Sequence, residues 1–336
     1  MSLRKLNSLL LFAALFIAAV SCKDDDETES LPELSGMYFE CPLYVAPGQE
    51  VTMIPKVVEH PEGGTVKYAW KVTPSMSSYD TLDVFVHRFS DTLQTYTVNA
   101  YAFAEGYYSS SFTREVAVVK GGLNGTITKT GIRSSDKKIT VDGADYYYQK
   151  IGNLEWFRNN LVSKASGTPY VNLDVMSDVF GRYYNYEEAM TACPDGWRLP
   201  TEDDWMSLAE AIGSPAAEKY AMFDDVAAKL LANASFNGKT ILEYWPVVGD
   251  VTNSSGLAMI PFGFANLGNA DENGRFPGAS FDGVFEYVVM WTADKVDGEA
   301  DMAYYRYMRS DRPEMLVGTG DVKTFGASVR CVRDAK

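Results

Sequence analysis

The sequence predicts an all-β sandwich followed by a larger α+β domain. Three observations support this. Short alternating apolar segments, separated by turn residues, fill the first third of the chain after an apolar N-terminus. Two helix patterns with start and stop signals follow in the middle, and strands with glycine-rich loops return after them. Helices first and strands later are typical of an α+β domain rather than of a parallel α/β one.

The first 21 residues predict a secretory signal peptide. Arg4 and Lys5 form a positive region, an apolar run covers residues 9–20, and small residues precede Cys22. The run is too short to span a bilayer as a mature helix. We therefore expect cleavage that leaves Cys22 first, followed by an acidic tether over residues 22–35.

The segment Ala19-Val20-Ser21-Cys22 resembles the lipobox of bacterial lipoproteins, in which the cysteine thiol is acylated. The following Lys23-Asp24-Asp25-Asp26-Glu27 resembles the signal that sends Bacteroidetes lipoproteins to the outer face of the outer membrane. The resemblance implies a lipid-anchored surface protein, because several acyl chains give stable anchoring. The alternative, that the acidic run is only a solvated tether, stays open.

The charge balance argues against nucleic acid as a partner. Residues 1–21 carry only Arg4 and Lys5 as charges, so their removal takes the formal charge from −15 to −17. Such a chain has no basic stripe to neutralise phosphates. No second apolar segment is long enough to cross a membrane, so the expected anchor lies at the N-terminus alone.

Residues 36–120 predict the β-sandwich. Val66, Tyr68, Trp70 and Val72 alternate with polar residues, which is the period of a half-buried strand. This part resembles the PKD and other Ig-like modules of surface proteins. The same alternation recurs at Leu82, Val84 and Val86, at Tyr96, Val98 and Ala100, and at Val116 and Val118.

A glycine-rich linker, residues 121–125, separates the sandwich from the second domain. In that domain a short helix is expected over residues 185–192, ending at Cys193-Pro194. A second begins at Thr201, with Asp204 as capping-box partner, and ends at Gly213. A third is expected from Asp224 to Leu231. The buried face of the second helix is expected to hold Trp205, Leu208, Ala209 and Ile212.

Residues 126–336 resemble the FISUMP (Fibrobacter succinogenes major paralogous) domain. This implies a fold similar to C-type lectins, with two helices packed on a small twisted antiparallel sheet. The blocks that carry the resemblance, in order, include Ile151-Gly152-Asn153-Leu154-Glu155-Trp156, Gly181-Arg182-Tyr183-Tyr184-Asn185-Tyr186, Cys193-Pro194-Asp195-Gly196-Trp197-Arg198-Leu199-Pro200-Thr201, Trp291-Thr292-Ala293 and Ser328-Val329-Arg330-Cys331-Val332-Arg333-Asp334.

Besides Cys22 the chain has Cys41, Cys193 and Cys331, so export permits one disulfide and leaves one thiol over. Within the family blocks, Cys193 ends a helix and Cys331 lies in the last strand. A bridge between them would tie the middle of the domain to its end, and Cys41 would be the spare thiol. We expect the tryptophans of the same region to be core anchors.

The sequence predicts a protein that is not an enzyme. Its two histidines, His60 and His87, both lie in the first third, so a histidine-dependent triad cannot form in the second domain. A carboxylate pair for glycoside hydrolysis stays formally open, because sequence cannot supply the separation of two acids. No catalytic residue is therefore nominated.

The segment from Trp245 to Glu286 is the predicted ligand surface, because aromatic rings and planar polar groups together suit sugars. The alternative is that the aromatics fill the core beneath a long loop and the polar groups form turns. The nominated residues are Trp245, Asn253, Asn266, Asn269, Asp271, Asn273, Phe276 and Asp282.

An incomplete calcium loop overlaps this segment. Asn269, Asp271 and Asn273 place oxygen side chains at alternate positions before Gly274. The twelfth position is serine instead of glutamate, so Asp282 would have to supply the missing carboxylate. The preferred interpretation is a polar turn, with no metal or other cofactor.

These inferences predict a non-catalytic surface lipoprotein that presents a lectin-like domain to a glycan or another surface macromolecule. The main alternative is a structural or assembly subunit of a cell-surface protein complex. A glycan-active enzyme is the third hypothesis.

Overall fold

A computed structural model describes residues 31–34, 36–163, 165–240, 251–309 and 311–336. The predicted signal peptide, the predicted acylation site Cys22, most of the predicted tether and Trp245 lie outside the described residues. No helix in the described part is long and apolar enough to cross a membrane.

The N-terminal part is a β-sandwich of two sheets. Its strands are β1 (Tyr44–Val45), β2 (Glu50–Met53), β3 (Lys67–Thr73), β4 (Asp80–Thr81), β5 (Phe85–Arg88), β6 (Thr95–Phe103) and β7 (Ser110–Val118). One sheet has five strands in the order β1-β7-β6-β3-β4, and a two-stranded sheet pairs β2 with β5. Between them lies a core that runs from Leu34 to Val118.

Strand alternation predicts most of the buried side chains here. Trp70 in β3 and Val98 in β6 are fully buried, as period-two patterning requires. The prediction for the Leu82, Val84 and Val86 segment was wrong about the face. Those three side chains are each close to half exposed, and Phe85 of β5 fills the core instead. Apolar residues occupy both faces of this strand, so alternation alone cannot say which face turns inward.

The C-terminal part is mostly antiparallel β-structure in several small sheets, the largest with six strands. Its central strands are β16 (Phe262–Asn266), β17 (Ser280–Val284), β18 (Tyr287–Val296), β19 (Glu299–Arg309), β20 (Met315–Asp321) and β21 (Phe325–Gly326). The remaining strands are β8 (Ile127–Thr128), β9 (Lys138–Val141), β10 (Ala144–Ile151), β11 (Leu154–Phe157), β12 (Thr168–Pro169), β13 (Arg182–Tyr183), β14 (Ser235–Phe236), β15 (Lys239–Thr240) and β22 (Val332–Asp334).

The two main predicted helices form at the predicted places. Thr201 and Asp204 make the reciprocal capping-box hydrogen bonds of the second helix, and Asn185 caps the first one in the same way. The predicted third helix is reduced to a single turn. The described ranges contain the helices α1 (Ser177–Phe180), α2 (Tyr186–Ala192), α3 (Glu202–Ala211) and α4 (Ala227–Leu230), with 3₁₀ turns at Tyr170–Asn172 and Asp174–Met176.

Cys193 and Cys331 form the expected disulfide. It joins the end of α2 to the residue before β22, across 138 positions of sequence. Cys41 is a free, buried thiol in the sandwich core. Trp205 and Trp291 are fully buried and Trp197 nearly so, which confirms their structural role.

A buried ion pair joins α3 to the large sheet. Arg306 of β19 bonds Glu202 through two nitrogens, and both side chains are completely buried. The Arg306 guanidinium also donates to the Ala221 carbonyl over 2.7 Å and lies 3.9 Å from the centre of the Phe223 ring. This pair fixes the helix against one face of the sheet.

The sandwich packs directly on the C-terminal part. Tyr44 of β1 contacts the rings of Tyr170 and Phe236, and Val119 belongs to the C-terminal core. The glycine-rich linker forms a closed turn, in which Thr126 donates its backbone N–H to the Lys120 carbonyl over 2.7 Å. The segment predicted as a linker is therefore packed against its neighbours.

Candidate functional site

Strand alternation gives the large sheet two different faces. Val288 and Met290 of β18, with Met308 of β19, join the core that contains α3. The neighbouring side chains turn to the opposite face. There Tyr287 pairs in register with Arg309, and Val289 pairs with Tyr307. The second face therefore carries tyrosine and arginine side chains at the open end of the β18–β19 hairpin, away from its turn.

An open cleft of about 400 Å³ lies on this second face. We call it the aromatic cleft. Its lining combines five aromatic rings with three charged groups and one valine. The lining residues are Phe264, Asp282, Glu286, Tyr287, Val289, Tyr305, Tyr307, Arg309 and Phe325.

The rings of the cleft hold one another in place. Tyr305 stacks on Phe325 with ring centres 4.7 Å apart, and Phe264 also stacks on Phe325, with ring centres 5.7 Å apart. Tyr287 meets Phe264 edge-on, and Tyr307 lies 5.8 Å from Tyr305. All five are half-buried. Burial, followed by the neighbouring Tyr307 and Tyr287, raises the pKa of Tyr305, so its hydroxyl stays protonated and can donate a hydrogen bond.

Two glycines make room for these rings. A Cβ at Gly318 would lie 2.5 Å from the Tyr305 ring, and one at Gly320 would lie 2.6 Å from the Phe325 ring. Because no side chain larger than hydrogen fits, both rings can lie against the backbone of β20. The glycines therefore set the shape of the cleft floor.

Charged groups border the aromatic cleft. The carboxylates of Asp282 and Glu286 are exposed. Arg309 donates two parallel hydrogen bonds to the Asp311 carboxylate, at 2.9 and 2.8 Å. This bonding to Asp311 is the main reason why the pKa of Arg309 is raised. The guanidinium carbon lies 5.8 Å from the Tyr287 ring centre. The cleft thus offers both hydrogen-bond acceptors and a cation beside apolar ring surfaces.

Of the nominated ligand residues that the structure describes, one lines this cleft. Asp282 lines it and faces Phe264 across the β16–β17 pairing. Asn266 lies two positions farther along β16, exposed, and accepts the Gly268 N–H. Phe276 is buried in the core, as the alternative interpretation expected. Trp245 lies outside the described residues.

Two other nominated polar residues bond loop backbone: Asn253 links two loops, and Asp271 closes a local turn. Asn253 donates to the Thr130 carbonyl over 3.0 Å and accepts the Ala258 N–H at 2.9 Å. Asp271 accepts the backbone N–H groups of Asn273 and Arg275, each at 2.9 Å, while Asn269 and Asn273 are exposed. Within the described ranges, no three His, Cys, Asp or Glu side chains are grouped so that they could hold a metal ion.

Sequence reasoning missed most of the aromatic cleft. Tyr287, Tyr305, Tyr307, Arg309 and Phe325 all follow the segment that was nominated. A signal was present, because tyrosines at 305 and 307 alternate with a buried arginine and methionine. That pattern is typical of a strand with one face in the core and an aromatic opposite face.

The fold and the cleft together describe a β-rich domain with a surface aromatic site, joined to a β-sandwich. The family model of the Fibrobacter succinogenes major domain matches residues 150–333. The chain therefore belongs to this family, and the FISUMP resemblance is confirmed. The match includes the aromatic cleft and both cysteines of the disulfide. A search of curated proteins found no match.

Proposed function

We propose that this protein is a non-catalytic surface lipoprotein whose FISUMP domain binds a glycan through the aromatic cleft. The observation that carries the proposal is the set of five half-buried rings beside two exposed carboxylates and an arginine. The volume of about 400 Å³ lies within the range of small-molecule sites.

The chemistry of the cleft suits a sugar ring. Aromatic faces pack against the C–H groups of a pyranose, and planar polar side chains bond its hydroxyls. Asp282 and Glu286 would accept hydrogen bonds from hydroxyl groups, while Arg309 would donate to ring or hydroxyl oxygens. Because the rings are already packed on one another, little side-chain entropy is lost on binding.

The proposed location rests on the N-terminal sequence. Cleavage before Cys22 and acylation of its thiol would anchor the chain in the outer membrane, with the acidic residues 22–35 as tether. The Ig-like sandwich would then act as a spacer between the membrane surface and the second domain. For that domain we propose the C-type-lectin-like α+β architecture that the family resemblance implies, with α2 and α3 as its two helices.

A binding role fits the chemistry of the chain better than catalysis. No histidine follows His87, and no motif sets a nucleophile beside a base. The rival hypothesis is an assembly subunit of a surface complex, in which the same face meets a protein. The two hypotheses differ in which molecules the aromatic cleft retains.

Glycan arrays and affinity gels would test the proposal with residues 23–336. We expect retention by at least one polysaccharide class, and a loss of at least tenfold in affinity for Tyr307→Ala. Tyr108→Ala removes a tyrosine that is 51% exposed in the first domain, so this matched control should bind like the unchanged chain.

The same variants separate the rival hypothesis. An absence of retention across broad polysaccharide classes would contradict the proposal. Capture of a protein from native membranes that Tyr307→Ala abolishes, without any glycan retention, would favour the assembly role. Glycan turnover by the unchanged chain would contradict the non-catalytic part.

A further inference from the structure

A second cavity, of about 420 Å³, lies at the junction of the two parts of the chain. The glycine-rich segment 120–123 forms one wall. The other walls come from the turn between β9 and β10, from residues 158–162, from α1 and from residues 258–260. Two arginines, Arg158 and Arg330, also line it. We call it the arginine cavity.

Arg330 is a buried cation, and its partners in the described part of the chain are neutral. Only 2% of the residue is exposed. Its Nε donates to Asn160 Oδ1 over 3.0 Å, and its two terminal nitrogens donate to the carbonyls of Leu257 and Ala258. A guanidinium has five N–H groups, and the described residues accept three of those of Arg330. One N–H on each terminal nitrogen is therefore left for another acceptor.

Arg158 adds a second buried charge, but this one has a counterion. It pairs with Asp136 and also donates to the Gly131 carbonyl over 3.1 Å. For Arg330 the described residues supply no carboxylate within ion-pair distance. Burial, and then repulsion from Arg158, lowers the pKa of Arg330 to about 9. The group therefore stays charged at neutral pH, and no carboxylate of the described residues balances that charge.

The acidic residues of the cavity lining do not supply this balance. Asp145 bonds Lys138 over 2.5 Å and Thr140 over 2.6 Å. Asp178 is exposed and its Cβ lies against Gly121. A buried arginine without an anion is costly, because desolvation removes the hydration of its charge. Such a site gains free energy when an anion enters.

We propose that the arginine cavity binds a small carboxylate, which accepts hydrogen bonds from the two terminal nitrogens of Arg330. Guanidinium and carboxylate are matched in geometry as well as in charge. The carboxylate could come from a free organic acid or from a uronic acid unit of a glycan. This site is separate from the aromatic cleft, and it stands whether or not the cleft binds sugar.

Calorimetric titration of residues 23–336 at constant ionic strength would test the proposal. The probes are sodium acetate as a free acid, sodium glucuronate as a uronic acid, and glucose as the neutral match for glucuronate. We expect saturable binding of at least one carboxylate and none of glucose in this cavity. Binding of glucuronate without acetate assigns the uronic acid, and binding of both assigns any small carboxylate.

Three variants decide whether the binding occurs at this place. Arg330→Met should reduce affinity at least tenfold. Ile132→Trp keeps Arg330 but fills the cavity from its wall, so it should also reduce affinity at least tenfold. This variant keeps the test decisive if Arg330→Met does not fold. Arg88→Met removes an exposed cation of the sandwich and should change nothing. No carboxylate binding, or equal binding by Ile132→Trp, would overturn the proposal.

Discussion

Neutralising Glu202 should destabilise the FISUMP domain by more than almost any other single isosteric change. Glu202→Gln removes the charge opposite Arg306 and keeps the size of the side chain. Both partners are completely buried, so water cannot replace the lost interaction. The Tyr220 N–H, which the Glu202 carboxylate accepts over 3.3 Å, loses a charged acceptor as well.

The expected loss is about 3–5 kcal/mol, the usual result of leaving a buried charge without its partner. Denaturant unfolding followed by tryptophan fluorescence would measure it, because Trp205 of α3 and Trp291 of β18 lie in the affected cores. The double variant Glu202→Leu with Arg306→Met leaves no buried charge. It should therefore lose clearly less unfolding free energy than the single variants Glu202→Leu and Arg306→Met lose in sum.

Asp203→Asn provides the matched control on the same helix. Its carboxylate pairs with Lys219 over 3.3 Å and is 74% exposed, so the unfolding midpoint should move far less than for Glu202→Gln. A loss below about 1 kcal/mol for Glu202→Gln, or strict additivity in the double variant, would refute the reasoning.

Three further predictions concern the disulfide, the free thiol and the cleft. Replacing Cys193 and Cys331 by alanine opens a loop of 138 residues and should cost about 5 kcal/mol of unfolding free energy; a loss below about 1 kcal/mol would contradict this. Burial raises the pKa of the Cys41 thiol from 9.0 to about 11, so stability present below pH 9 should fall by roughly 3 kcal/mol as pH rises through 11. Urea titrations of Cys41→Ala should lack that part of the decline. Gly318→Ala should displace the Tyr305 ring and weaken glycan binding, whereas Gly278→Ala, with open space around it, should not.

The predictions that succeeded depend on neighbouring residues in the sequence. Thr201 and Asp204 lie three positions apart, so their capping box can be read without any tertiary information. The sandwich strands carry their own alternation in the same way, as β3 shows around Trp70. The disulfide between Cys193 and Cys331 was instead predicted from the positions of both cysteines in the family blocks.

The predictions that failed depend on which face of an element meets which partner. The segment around Val84 is apolar on both sides, and only the larger Phe85 decided which side entered the core. Asp282 of the nominated segment lines the aromatic cleft, but the aromatic residues around it come from β16, β18, β19 and β21. Strands separated by long loops meet only through the sheet order, which the sequence pattern does not contain.

The central claim is that a glycan rests on the aromatic cleft, and tyrosine-labelled NMR tests it most directly. The chain would carry ¹³C-labelled tyrosine and be titrated with the glycan that the array selects, with signals assigned by single Tyr→Phe changes. We expect the ring signals of Tyr287, Tyr305 and Tyr307 to shift together with one binding constant, while Tyr108 stays unchanged. Saturable binding that leaves those three signals in place would contradict the claim.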